Sequence, residues 1–216
     1  MKADEFQLGW VDLLTVIVLF VGIMRGRKRG LSEELLDTLQ WIAIVLAGGL
    51  YYGMLAQALA TTSLMSQVCY NLISYALIAL TIKAVVLLIK RRLGDKIIGS
   101  DIFGRGEYYF GMAAGMVRFA CIYVFLMSFL HAPFYTPDML AANAKYQDKN
   151  FGDIRFPTIG SMQQTFFKES ATGWAAERYL AVVLVQPAGT KAGELRSENS
   201  LGRRREQAID VMTFRK

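Results

Sequence analysis

The chain has 216 residues, of which 54% are hydrophobic and only 19% charged, with a formal net charge of +6. That balance is too apolar for an ordinary soluble domain of this length. The positive charge does not point to nucleic acid either, because the basic residues cluster beside apolar runs, where membrane orientation and lipid headgroups account for them.

Long apolar runs dominate the first 130 residues, whereas residues 131–216 are polar and hold 12 of the 24 basic and 9 of the 18 acidic residues. A first helix is expected from residue 8 into the basic cluster Met24-Arg25-Gly26-Arg27-Lys28-Arg29. From Trp10 to Arg29 the helix would measure roughly 30 Å, enough to cross a bilayer with its terminal basic side chains snorkelling to the interface. A secretory signal peptide fits less well. Its leading region would carry Lys2 against Asp4 and Glu5, and the apolar run ends in basic residues instead of a small-x-small cleavage site.

No charged residue occurs between Asp37 and Lys83. A span needs about 20 residues, so this stretch accommodates most of two helices, expected over residues 35–59 and 68–89. The turn between them falls at the polar cluster Ala60-Thr61-Thr62-Ser63. A fourth helix is expected over residues 108–130, interrupted by Arg118 and stopped by Pro133. The loops after the first and third helices carry Arg25, Arg27, Lys28, Arg29, Lys90, Arg91, Arg92, Lys96 and Arg105, against Lys2 alone on the other side. This bias predicts that both loops are cytoplasmic and both termini extracytoplasmic.

Beyond residue 130, Thr136-Pro137-Asp138 reads as a helix start, with Thr136 as N-cap. Residues 161–185 read as one amphipathic helix using Phe166, Phe167, Trp174 and Leu180, lying either in the outer headgroup layer or against the bundle. From Pro187 onward the composition predicts disorder. The expected fold is therefore all-α, a polytopic four-transmembrane-helix bundle over residues 1–130. An extracytoplasmic segment with short helices follows over 131–186, then a disordered tail over 187–216.

Three glycine stripes occur in the helices: Gly22, Gly26 and Gly30; Gly49 and Gly53; Gly111 and Gly115. Glycines four apart share a helix face and let backbones approach closely, within one chain or between copies in a homo-oligomer. Among charges in or near the spans, Asp12 and Asp37 read as helix-end residues and Lys83 as a snorkelling one. Arg118 lies deepest, where a charge must be paired or line a path. An acidic or carbonyl partner is expected for it, with Asp12 as the candidate. Cys69 and Cys121 read as buried packing residues, not a disulfide. No nucleophile elbow, phosphate loop or metal-ligand spacing is present in the sequence, so no enzyme activity and no cofactor are expected.

These residues make the chain similar to the colicin V production protein (CvpA) family. Trp10-x-Asp12, Arg29-Gly30, Glu34, Trp41 and Tyr51-Tyr52 follow the family's spacing, as does Gly111-x3-Gly115-x2-Arg118. The resemblance covers residues 8–130. The chain departs from the family in its unusually basic first loop, in Glu107-Tyr108-Tyr109, and in the stretch after Leu130. The resemblance implies a bacterial inner-membrane protein associated with colicin V export and envelope homeostasis. Its candidate residues here are Trp10, Asp12, Arg29, Gly30, Glu34, Gly111, Gly115 and Arg118. The expected function is a non-enzymatic membrane scaffold with the lipid bilayer and an unidentified envelope protein as partners. The alternative is a small transporter or channel using Arg118 and an acidic partner.

Overall fold

The computed structural model describes residues 9–61, 65–97, 106–133, 135, 137–152 and 156–187. Thr62, Ser63, the expected cap Thr136 and the tail beyond Pro187 lie outside the described residues. Within them all regular structure is helical. The elements are α1 (Trp10–Ala60), α2 (Gln67–Ile97), α3 (Glu107–His131), α4 (Pro137–Phe151), α5 (Ile159–Phe167) and α6 (Ala171–Tyr179).

The three longest helices are long and apolar enough to cross a membrane. Only 11% of the apolar window of α2 is buried inside the protein, so most of its apolar surface needs a non-aqueous surrounding.

The two helices expected before residue 60 follow one another without a loop within α1, separated only by non-helical backbone at Gly30 (φ 75°, ψ 170°). This backbone is open to glycine and strained for any residue with a Cβ. The contacts show that the chain reverses there. In the first limb, residues 10–29, Thr15 meets Tyr123 and Gly22 faces Gly115, while Gly26 faces Gly111. Positions thus rise along the limb as they fall along α3, so the two run antiparallel. In the second limb, residues 31–60, Thr38 meets Ala114 and Trp41 meets Phe125, which is a parallel course. The two limbs therefore form a helical hairpin. On α2, Lys90 reaches Asp37 and Tyr75 packs on Gly48 and Tyr52, so α2 is antiparallel to the second limb.

The glycine stripes explain the tightest contact. An ideal Cβ placed on Gly111 would lie 2.6 Å from the Gly26 carbonyl oxygen, and one on Gly22 would lie 2.8 Å from that of Gly115. Two of the three stripes are thus used inside the molecule. Of the third, Gly49 faces Val183 whereas Gly53 has nothing within 4 Å.

The C-terminal segment packs on the bundle. Phe166, Phe167, Ala176 and Leu184 share a core with Val11 and Met127, and Val185 is buried with Tyr75 and Ala132. In place of one amphipathic helix over 161–185 there are two short ones. The Ser170 hydroxyl donates to the Phe166 carbonyl at 2.6 Å and accepts from Gly173 N–H at 2.9 Å, which closes α5 and starts α6. Neither cysteine is buried as expected. Both are free thiols, Cys69 exposed and Cys121 only half-buried.

The glycine contact is testable. Gly111→Ile and Gly115→Ile place side chains where backbones meet and should each cost about 1–3 kcal/mol. Thermal unfolding in detergent and cellular accumulation read this out, and unchanged values would mean that the face is not packed.

Candidate functional site

The hairpin puts both chain directions beside one point of α3, and the charges gather there. Glu34 and Asp37 are three residues apart and share a face of the second limb. Arg118 Nη1 on α3 donates to Glu34 Oε1 at 2.7 Å and to Asp37 Oδ2 at 3.1 Å. Arg29, at the end of the first limb, lies 3.6 Å from Glu34 Oε2 and 3.5 Å from Asp37 Oδ2. Lys90 of α2 pairs with Asp37 Oδ1. Three cations from three segments thus surround two carboxylates from a fourth.

Burial grades this cluster. The Glu34 side chain is 0% exposed and that of Arg118 16%, whereas Arg29 and Lys90 are 36% and 37% exposed. The Arg118–Glu34 pair is therefore the poorly screened centre, with the strongest interaction per contact. Thr38 supports it from one turn on. Its hydroxyl lies 2.9 Å from the Glu34 carbonyl and 3.1 Å from that of Ala114, tying the second limb to α3.

Beside the cluster, Gly30 sits against Glu107, whose carboxylate accepts from Ser32 N–H at 3.4 Å. Gly111 and Gly115 bring the first limb within backbone distance of α3. The structure thus gathers Arg29, Gly30, Glu34, Gly111, Gly115 and Arg118 at the hairpin end of the bundle.

Trp10 and Asp12 lie at the other end, and Asp12 is not the partner of Arg118. The antiparallel course of the first limb and α3 sets Thr15 beside Tyr123 and Gly22 beside Gly115, so Asp12 falls well past Arg118. Asp12 is only 4% exposed, and its carboxylate accepts from Thr172 N–H and the Thr172 hydroxyl, both at 2.9 Å. It also takes bonds from Ala171 N–H at 3.3 Å and Gly9 N–H at 3.0 Å. Asp12 thus meets the positive end of α6, where unsatisfied N–H groups favour a carboxylate. Trp10 is 56% exposed and stacks edge-on against Phe166 with centroids 5.4 Å apart.

Sequence reasoning placed Asp37 at a helix end and did not join Lys90 to it. The signal available was the three-residue spacing of Glu34 and Asp37. The bond from Asp12 to Thr172 spans 160 positions and has no local signature. Among the described residues there is no group of three or more His, Cys, Asp or Glu side chains placed to hold a metal ion.

The model of the colicin V production protein family matches residues 11–146. The chain belongs to this family. No curated protein and no solved structure matches the chain. Family membership points to a role in colicin V production. The matched stretch contains Asp12, the hairpin and the whole charge cluster. It also runs past the residue-130 limit of the sequence resemblance, into α4.

The charge cluster gives a quantitative expectation. Arg118→Met leaves the buried Glu34 carboxylate without its nearest cation and should cost about 3–5 kcal/mol. Adding Glu34→Gln should return most of that loss, because the stranded charge is removed with its partner. Unfolding of both variants in detergent measures the difference, and equal losses would show that the pair is not coupled.

Proposed function

We propose that the chain is an inner-membrane protein whose two α1 limbs, α2 and α3 make four crossings, and that it serves colicin V-type toxin production or export, or envelope maintenance, as a non-enzymatic scaffold. The nine-to-one bias of basic residues supports a cytoplasmic hairpin end and extracytoplasmic termini. Arg27, Lys28, Lys90, Arg91 and Arg92 all belong to that end, and the segment with α5 and α6 caps the opposite one.

The observation that carries the scaffold reading is this cap. It buries Phe166, Phe167, Leu184 and Val185 against the bundle. Asp12 clamps its α6 N-terminus. His131 Nδ1–H donates to the Val185 carbonyl at 2.8 Å, and Gln186 N–H donates to the Tyr52 hydroxyl at 2.8 Å. A cap so fastened closes the end of the bundle and offers a fixed outer face to an envelope partner. The charges follow the same logic, since Arg118 and Asp12 are each engaged by other segments of the chain.

Complementation separates this reading from transport. In Arg118→Met/Glu34→Gln/Asp37→Asn the buried charges are neutralised together, and Arg29 and Lys90 are exposed enough to reach water. The variant should accumulate, fold and restore toxin production or envelope integrity to a deletion strain. A folded variant that fails to complement would indicate a charge-dependent path. For orientation, a reporter active only in the periplasm should be active when fused after Lys216, and activity of a cytoplasmic reporter there would reverse the topology.

A further inference from the structure

The close glycine contact between the first limb and α3 has a second product, a groove along its flank. Met24, Arg27 and Lys28, spaced i, i+3 and i+4 on the limb, line it together with Tyr108, Tyr109 and Met112 of α3. The groove is open on one side and has a volume of about 790 Å³, within the size range of small-molecule sites. Arg27 and Lys28 are exposed and take no part in the ion pairs around Glu34 and Asp37. Tyr108 and Tyr109 are 60% and 72% exposed. The acidic residue at this end of α3, Glu107, does not line the groove and turns its carboxylate to Ser32 N–H.

The depth of these residues is set by the helix. Arg27 and Lys28 lie roughly 26 Å along the limb from Trp10, at the edge of a hydrocarbon layer about 30 Å thick. One turn nearer the bilayer centre, Met24 and Met112 offer flexible apolar surface. The groove therefore passes from apolar methionines to a level shared by the cationic and tyrosine side chains, across the depth where a phospholipid passes from acyl chain to headgroup.

We propose that this groove is a binding site for one anionic phospholipid of the phosphatidylglycerol type. Its phosphodiester is held by the Arg27 guanidinium and Lys28 ammonium groups, its headgroup hydroxyls by the tyrosine hydroxyls, and its first methylenes by Met24 and Met112. A soluble anion would leave the methionine end unused, and a zwitterionic lipid would bring its own cation against Arg27 and Lys28. The site follows from the packing of the first limb on α3 and does not depend on the scaffold reading or on the side of the membrane that it faces.

The test is native mass spectrometry of the full chain in detergent, titrated with phosphatidylglycerol or phosphatidylcholine. One phosphatidylglycerol should be retained per chain, with phosphatidylcholine much weaker. Arg27→Gln/Lys28→Gln should weaken retention about 30-fold. Arg91→Gln/Arg92→Gln removes equal charge from exposed positions of α2 outside the groove, and should change it by less than about twofold, as screened distant charges do. Tyr108→Ala/Tyr109→Ala keeps every charge and should still weaken retention, which serves as the deciding variant should the double Gln variant not fold by thermal melting. Equal losses from the two basic pairs would reduce the effect to diffuse surface charge. Equal retention of both lipids would reduce it to an apolar cleft, and displacement by inorganic phosphate would make it a soluble-anion site. Each of these outcomes overturns the proposal.

Discussion

An arginine placed midway along an apolar helix needs a partner inside the protein, and the bundle is arranged around meeting that need. Arg118 keeps its charge in any protein setting, and an uncompensated charge within a bilayer costs several kcal/mol. Glu34 and Asp37 supply the compensation. They reach Arg118 because the second limb runs parallel to α3, and it does so because the chain reverses at Gly30. The reversal needs a residue without a Cβ at φ 75°. The close seating of the first limb then needs Gly22 and Gly26 opposite Gly111 and Gly115. Glycine and charge are parts of one solution here: backbone contact brings the segments near enough for short ion pairs to form.

The two ends of the first limb solve the same electrostatic problem by different means. At the hairpin end, carboxylates meet cations, and the partly exposed Arg29 and Lys90 connect the buried pair to the interface. At the cap end, no cation is within ion-pair distance of Asp12 among the described residues. The N–H groups at the start of α6 and the Thr172 hydroxyl surround it instead. Hydrogen bonds from a helix N-terminus satisfy a carboxylate without burying a second charge. The cap is thereby made part of the same folded unit as the membrane segments, with Phe166 and Phe167 completing a core begun by Val11 and Met127.

Much of this was legible in the sequence, for reasons that also mark where legibility stops. The uncharged run after Asp37 and the short basic segments fix how much chain can sit in lipid, since no partner removes that constraint. Gly111, Gly115 and Arg118 stood out because glycine stripes and deep charges are unusual enough to require contacts. What those contacts would be depended on the relative directions of the segments. Asp12 was matched to Arg118 by charge alone, yet the antiparallel limb carries it past Arg118 to α6. The break at Ser170 was hidden by an apolar periodicity that continues through it. Its local signal, a serine three residues before Gly173, competes with that pattern and prevails because the Ser170 hydroxyl serves both helices. Lys90 went unassigned because α2 extends to Ile97 as one helix, so a residue expected in a loop sits on a helix face opposite Asp37.

The distribution of burial within the charge cluster bears on what kind of protein this is. A path for ions or substrates needs charged groups that can exchange partners at low cost. Here the centre is fixed by several independent constraints. Glu34 is fully buried, its backbone carbonyl is engaged by the Thr38 hydroxyl, and that hydroxyl also reaches α3. Moving Arg118 away would strand a buried carboxylate, and moving the second limb would break the link to Ala114 as well. Such coupling makes the hairpin end resist rearrangement, since an opened ion pair in a low-dielectric site has no water to replace its partner. A hairpin end and a cap held in this way leave the outward-facing apolar side chains, the basic groove beside α3 and the face of the cap as surfaces available to other molecules, the disposition on which the proposed scaffold would draw.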